Sequence, residues 1–239
     1  MGVYSNTEIV QAIKDGTIVC TPFNSDHVAE ASLDFTLGYY YYRQEYSDWS
    51  KVYNPFDVKD VERYFNGPRE AEKHSAWCER HGQIPFMNIP LDHPIIVLKP
   101  GERILAHTHE FVGIRAQGGA CEVRSRSSLG RNGVAVCFDS GWVDPGYINR
   151  LTLEVYNLNQ HAPVVLPVGE RIGQIVFHHT GPVEGSYEAG RGGISGKYQT
   201  SSNLDELIAN WTPEKMLPRS YMDTRKLPSS IKGLNNKFK

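Results

Sequence analysis

The sequence predicts a mainly β protein with short helices at its margins. From Pro94 onward short apolar runs follow one another closely: Ile95 to Leu98, Arg103 to Ala106, Cys121 to Val123, Val134 to Val136, Leu151 to Tyr156, Pro163 to Leu166 and Ile172 to Phe177. Turns containing Gly or Pro separate these runs, the punctuation a many-stranded sandwich or barrel requires. Ahead of them Ala31 to Gly38 alternates apolar and polar residues, the period of a half-buried strand. A length of 239 residues suits one sizeable core with decorations.

Taken in order, Ser5-Asn6-Thr7-Glu8 reads as a capping box, and Ile9, Val10 and Ile13 supply the apolar face of a short helix that Gly16 ends. The strand beginning at Ala31 continues through the aromatic run Tyr39 to Tyr42. Residues 43–93 are charged and broken by Pro55, Gly67, Pro68, Gly82, Pro85 and Pro90, so they read as an insertion with short helices over 57–65 and 69–80. Gly-Glu-Arg-Ile occurs at 101–104 and again at 169–172, which predicts two similar hairpin turns rather than a repeat domain. The Gly- and Ser-rich segment 181–202 reads as a mobile lid. Beyond it Leu204, Leu207, Ile208 and Trp211 are spaced for a short amphipathic helix, and 203–239 forms a polar extension, a docking tail or a partly disordered one.

A formal charge of −2 and a pI near 6.5 argue against a protein that coats nucleic acid, which needs a concentrated basic surface. No apolar run approaches membrane-spanning length, and no secretory leader is legible. Cys20, Cys78, Cys121 and Cys137 lack CxxC spacing and are expected to be free thiols in a reducing compartment. A soluble, cytoplasmic protein follows as the expectation.

The chemistry concentrates in Arg126-Ser127-Ser128-Leu129-Gly130-Arg131, Val143-Asp144-Pro145-Gly146 and Leu153-Glu154-Val155-Tyr156-Asn157. Two arginines, two hydroxyls and two carboxylates are what holding a polyphosphate and activating water beside it requires. Each has a plainer reading. The arginines can pair with carboxylates at a solvated turn, and Asp-Pro-Gly is ordinary turn chemistry. Glu154 alternates with Leu153 and Val155, so it points away from the face they bury, toward water or a site. Zinc deaminases carry H-x-E followed by P-C-x-x-C, and this chain has neither. The segment around Lys197 is no Walker loop, since Arg191 stands at the first glycine position and Tyr198 follows the lysine. His107 with His109, and His74, Cys78 and His81, have ligand-like spacing but no visible further ligand.

The order R-S-S-L-G-R, G-W-V-D-P-G-Y, T-L-E-V-Y-N and V-G-E-R-I-G-Q, from about Ser5 to about Gln199, resembles the dCTP deaminase branch of the dUTPase superfamily. The resemblance implies a dUTPase-like distorted β-barrel or jelly-roll spanning 1–202. It implies a homotrimer with sites between subunits, acting on a deoxypyrimidine triphosphate, with Mg²⁺ entering only as the nucleotide's counter-ion. In this reading Glu154 takes a proton from water as it adds to C4 of cytosine, protonates N3 and helps ammonia leave. Arg131 lies close to the base and steadies Glu154. Ser127 helps hold the water, and Arg126, Ser127 and Ser128 contact phosphates across a subunit boundary. Asp144 faces the 3′-hydroxyl and, in relatives that also hydrolyse dUTP, directs a water at the α-phosphate. Gln174 contacts phosphate, while Tyr187, Lys197 and Gln199 belong to the closing lid.

Gly141 and Trp142 make the chain look more like the bifunctional dCTP deaminase–dUTPase type than the deaminase-only type. One departure stands beside the base pocket. Where the family reads His-x-Thr-Ala this chain has Cys137-Phe138-Asp139-Ser140, so Asp139 and Ser140 would reshape nucleotide preference or dTTP feedback. Two alternatives stay open: a dUTPase or dCTP pyrophosphatase in which Glu154 is structural, and a nucleotide-sensing protein without turnover.

Overall fold

The protein is described by a computed structural model over residues 2–44, 52–187 and 196–223. Helix α1 (Asn6–Lys14) starts on the expected capping box, with the Ser5 side chain accepting from the Glu8 N–H and Glu8 reaching back to the Ser5 N–H. Strands β1 (Ile18–Thr21), β2 (Leu33–Thr36) and β3 (Tyr40–Arg43) follow. The insertion contributes α2 (Val58–Phe65), the two-residue strands β4 (Arg69–Glu70) and β5 (Glu72–Lys73), and α3 (His74–His81). The body of the fold is β6 (Pro94–Leu98), β7 (Arg103–Ile114), β8 (Ala120–Ser125), α4 (Ser127–Arg131), β9 (Val134–Val136), β10 (Trp142–Val143), β11 (Ile148–Asn157), β12 (Val164–Pro167) and β13 (Arg171–His178), and α5 (Leu204–Ala209) lies in the extension.

These strands form three antiparallel sheets: a six-stranded one ordered β4-β3-β7-β11-β9 with β1 also on β7, a four-stranded one ordered β10-β8-β13-β2, and a three-stranded one ordered β12-β6-β5. The architecture is mainly β, as expected, although no closed ring of strands forms among the described residues. Strand β7 is the hub, pairing with β1, β3 and β11. One face of β7 and β11 sends Ile104, Ala106, Leu153 and Val155 into the main core, where Leu98, Ile175 and Phe177 meet them. Sealing that many branched side chains from water is the dominant favourable contribution to the fold.

The opposite face is the one that matters for chemistry. Cross-strand register sets Arg103 opposite Tyr156, Leu105 opposite Glu154 and His107 opposite Thr152. Residues directly opposite across an antiparallel pair share a face. A second, smaller core builds on it from Tyr42, Leu105, Val61 and Phe65 of α2, and Met216 of the extension.

The structure departs from the sequence reading in four places. Strand β2 is buried throughout rather than half-buried, because its polar residues find partners inside: Glu110 accepts from the Thr36 N–H at 3.0 Å and hydroxyl at 2.8 Å, and Asp34 pairs with Arg126 and Arg171. In the insertion the second helix begins only at His74, after the two short strands. The two Gly-Glu-Arg-Ile turns are not hairpins. Gly101 (φ 68°) and Gly169 (φ 78°) carry the chain from the paired strands β6 and β12 out into β7 and β13, which lie in two other sheets. Finally, the strand expected to run on from Ala31 through Tyr42 is broken into β2 and β3, which lie in different sheets. The extension through Asp223 packs against the six-stranded sheet, with the Arg150 guanidinium held between the rings of Phe111 (5.1 Å) and Trp211 (4.6 Å). Residues 224–239 and the expected lid segment 188–195 lie outside the described residues.

Candidate active site

A cavity of about 530 Å³ opens over the outer face of β7 and β11, within the range of small-molecule sites. Glu154 lines it, as does its cross-strand neighbour Leu105. The period-two reading of β11 is therefore met: Leu153 and Val155 are fully buried in the core and Glu154 projects the other way. Its Oε2 is buried yet has no hydrogen-bond partner. Burial drives the carboxyl pKa upward, against opposing pulls from its own backbone N–H and from Arg103. An unsatisfied buried carboxylate costs stability, and such groups concentrate where a ligand completes the bonding.

The cavity also gathers Asp144, Ser140, Trp142 and Tyr187 from the predicted set. Asp144 sits in the turn between β10 and β11, where its carbonyl accepts from the Tyr147 N–H at 3.1 Å and Gly146 takes φ 88°. Its Oδ1 accepts from the Trp142 indole at 3.2 Å, so the turn residue also has a defined side-chain orientation. Just before β10 the departure from the family pattern forms a tight loop, with Cys137 at φ 64°, Phe138 at φ 36° and the Ser140 N–H donating to the Cys137 carbonyl at 2.6 Å. Two consecutive non-glycine residues at positive φ store strain at the rim of the cavity.

The remaining predicted residues lie elsewhere within one chain. Ser127, Ser128 and Arg131 are exposed on α4, outside the wall of the Glu154 cavity. The expected pairing of Arg131 with Glu154 is thus not made in cis; the cation sharing the cavity with Glu154 is Arg103. Arg126 pairs through Nε with Asp34 at 3.2 Å, the plainer of its two readings. Gln174 lies on β13 opposite Arg124 and Asp34, also away from the cavity. Asp139 borders a separate opening beside Glu122, Arg124 and Phe138. Gln199 is buried, its Oε1 accepting from the Ile148 N–H at 2.7 Å and its Nε2 donating to the Gly146 carbonyl at 3.0 Å, which makes it a strut under the Asp144 turn.

Five contributors to the wall were not singled out as site residues from sequence. Arg103 enters from β7, Tyr198 from the lid, and Phe65, Met216 and Pro218 close the wall from the insertion and the extension. The lid and the extension are joined: Arg219 donates from its backbone N–H to the Tyr198 hydroxyl at 3.1 Å and from Nη1 to the Lys197 carbonyl at 2.8 Å. Lys197 itself lies 3.9 Å from Asp223.

Of the histidines with ligand-like spacing, His74 and His107 are bonded as core residues, while His81 and His109 are exposed. His74 accepts from the Phe86 N–H through Nε2 at 2.8 Å, leaving Nδ1 to donate to the Ile89 carbonyl at 3.1 Å. His107 accepts from the Tyr40 N–H and donates to the Thr108 carbonyl, and burial lowers its pKa to about 4, so it is neutral. Among the described residues no group of three or more His, Cys, Asp or Glu is placed to hold a metal ion, and no helix is long and apolar enough to cross a membrane. All four cysteines are unpaired thiols, with burial raising Cys20 and Cys121 to about 12.

Residues 3–180 match the family described as dCTP deaminase-like. The chain belongs to that family. This dCTP deaminase-like chain is 34% identical over 204 residues to the "dCTP deaminase, dUMP-forming" of Methanopyrus kandleri, covering 83% of this chain and 91% of the relative. It is 31% identical to the protein of the same name from Methanosphaera stadtmanae, over 78% of this chain and 84% of that one. A "dCTP deaminase" of Haloarcula marismortui is 30% identical over 84% of this chain and 91% of its own length. Among solved structures, the 2′-deoxycytidine 5′-triphosphate deaminase of Agrobacterium tumefaciens aligns with a TM-score of 0.49 and 21% identity over 74% of this dCTP deaminase-like chain and 48% of that one. The family match ends at residue 180, so the lid and the extension that wall the cavity lie beyond it.

Proposed function

We propose that the protein converts dCTP to dUTP and ammonia, and carries the dUTP on to dUMP and pyrophosphate. The observation that supports this most is the Glu154 carboxylate, buried, unpartnered at Oε2 and facing a cavity it shares with Asp144. Two carboxylates in different surroundings suit two hydrolytic steps.

In the first step Glu154 accepts a proton from water as the oxygen bonds to C4 of the cytosine. It passes that proton to N3, and the C4–N bond breaks with a second proton delivered to the amino group, so dCTP and water become dUTP and ammonia. A carboxyl whose pKa burial has raised holds a proton more firmly than an exposed one, which suits a group that must accept a proton and then return it. In the second step Asp144 directs a water at the α-phosphorus, and pyrophosphate leaves. Mg²⁺ accompanies the nucleotide as part of the substrate, held by phosphate oxygens that side chains need not supply. The relatives named dUMP-forming favour the two-step reading over the deaminase-only one.

Ser127, Ser128 and Arg131 are exposed and lie outside the wall of their own chain's cavity, which supports a site completed by a second copy in a homotrimer. The arginine and serines of one subunit then meet the triphosphate and the Glu154 region of its neighbour. Arg126, Gln174, Lys197 and Gln199 would act there as phosphate ligands or as supports of the lid.

The experiment is an incubation with dCTP and Mg²⁺ in which ammonia and pyrophosphate are assayed separately. Both products in equal amounts, with dUMP, are expected. Pyrophosphate without ammonia would sink the deamination and leave a phosphohydrolase; ammonia with accumulating dUTP would remove the second step.

A further inference from the structure

The cavity wall holds a cation that neither the sequence motifs nor the site just described employs. Arg103 opens β7 on the same sheet face as Glu154, one cross-strand pair along: Arg103 faces Tyr156, and Leu105 faces Glu154. Both Arg103 and Glu154 line the cavity. The guanidinium is held by neighbours other than Glu154. Its Nη1 donates to the Tyr156 hydroxyl at 3.1 Å, the group lies over the Tyr156 ring at 5.7 Å, and the Gln44 carboxamide oxygen, oriented to suit its neighbours, accepts from Nε at 2.6 Å. Arg103 and Glu154 do not form a direct ion pair, since no N–O approach of 4.0 Å or less joins them. A positive charge and a carboxylate with an unpartnered oxygen therefore line one cavity.

We propose that Arg103 is a positioning residue of the reaction, a guanidinium supplied in cis that favours the ionised form of Glu154, the form able to take the proton of the attacking water. This rests on the reading of Glu154 as the proton carrier. In a cavity with apolar walls from Phe65, Leu105 and Met216, burial favours the neutral acid, which cannot accept a proton. Arg103 pulls the other way, as does the Glu154 backbone N–H, while burial outweighs both and leaves the carboxyl pKa raised. The other ionisable groups around Glu154 cannot do the same. Asp144 is a carboxyl of the same sign, the Cys137 thiol from the β9 side is held neutral by burial, and burial likewise raises Tyr147 and Tyr187 and keeps them neutral. Among the described residues, the insertion and the extension contribute only Phe65, Met216 and Pro218 to the wall. An arginine delivered by a second subunit adds to this charge but arrives only on assembly, whereas Arg103 is present in every chain.

The test is the pH dependence of kcat/KM for ammonia release from dCTP in the full-length protein and in Arg103→Gln and Arg103→Lys. Glutamine retains polar contact with Tyr156 and Gln44 without charge; lysine restores the charge. The acid limb is expected to move up by about one pH unit in Arg103→Gln, the size typical of losing one nearby opposite charge. In Arg103→Lys it is expected to return most of the way. An acid limb that stays in place in a folded Arg103→Gln protein would overturn the proposal, even with a lowered plateau.

A second readout needs no turnover: the carboxyl carbon resonance of Glu154, assigned by its loss in Glu154→Gln, titrates at higher pH when Arg103 is neutralised. Should Arg103→Gln fail to fold, the double variant Tyr156→Phe with Gln44→Met frees the guanidinium, and an unchanged Glu154 titration there would equally refute it. The two readings fail separately. A wild-type protein that releases no ammonia while Glu154 still titrates under Arg103's influence removes deamination and leaves the charge relationship; ammonia release with an unmoved acid limb does the reverse.

Discussion

Cys137 donates its backbone N–H to the carbonyl of Glu154 at 3.1 Å, and that bond joins the strained loop at the cavity rim to the strand that presents the carboxylate. The loop has little freedom to relax, because its far end is fixed as well. Val123 donates to the Gly141 carbonyl at 2.7 Å, and a Cβ added at Gly141 would stand 2.4 Å from the Val123 carbonyl oxygen. Main-chain atoms thus clamp Cys137-Phe138-Asp139-Ser140 at both ends.

Gly141→Ala is therefore expected to destabilise the protein by about 1–3 kcal/mol, the usual cost of forcing extra volume into a packed site. The strain should pass along β10 to Trp142 and Asp144. Urea unfolding measures the first effect, and pyrophosphate release from dUTP the second. A variant with unaltered stability would show that the loop shifts freely.

Glu154→Gln should lower ammonia release by roughly 10²- to 10⁴-fold, as loss of a general acid–base group does, with nucleotide affinity nearly unchanged. It should also make the folded protein more stable at neutral pH. Burial raises the carboxyl pKa in the folded state, so the folded chain holds that proton more tightly than the unfolded chain. The stability Glu154 contributes is present in full below its unfolded pKa and is lost as pH rises through the folded value. The gain in melting temperature from Glu154→Gln should thus be largest near pH 7 and shrink toward pH 4. Equal melting curves at pH 7 would mean that the carboxylate is already satisfied.

The orientation of Glu154 was legible because a strand repeats every two residues, and Leu153 and Val155 announced which face was core. The capping box at Ser5 was legible for the same reason: its contacts are local. What lay beyond reach was register. Nothing in Gly101-Glu102-Arg103-Ile104 reveals that Arg103 comes to rest one pair from Glu154, since that depends on how β7 meets β11. Buried polar residues misled in the other direction. Asp34 and Thr36 looked like a wet face, and Gln199 like a free ligand, but each is satisfied by a partner distant in sequence. Residues 204–223 read as an extension because polar composition conceals the few apolar anchors, Trp211 and Met216, that fasten them to the sheet.

Met216 belongs both to the second core and to the cavity wall, and it is 3% exposed. Met216→Ala should cost about 2–5 kcal/mol, the range for deleting a buried side chain of this size. Because Arg219, three residues on, holds the Lys197 carbonyl and the Tyr198 hydroxyl, the damage should reach the lid. Arg219→Ala isolates that part: KM for dCTP is expected to rise by several-fold while chemical denaturation shifts little. Steady-state kinetics on the two variants separate wall from latch. A normal KM in both would show that residues 211–223 play no part in nucleotide binding.

The last expectation concerns the exposed residues outside the cavity wall. Ser127, Ser128 and Arg131 stand on α4 outside the Glu154 cavity, so a complete site as proposed draws Glu154 from one chain and Arg131 from another. Glu154→Gln and Arg131→Ala should each be nearly inactive alone. If each trimer interface needs one intact residue from either side, subunits unfolded together and refolded as a mixture recover activity, because an Arg131→Ala chain still offers Glu154 and a Glu154→Gln chain still offers Arg131. Random assembly of equal amounts places both intact residues at about one quarter of the interfaces, so about one quarter of wild-type activity should return. A site built wholly within one chain predicts no recovery at any mixing ratio. The readout is ammonia release after refolding, with size-exclusion chromatography confirming that the mixed species assembles as the single proteins do.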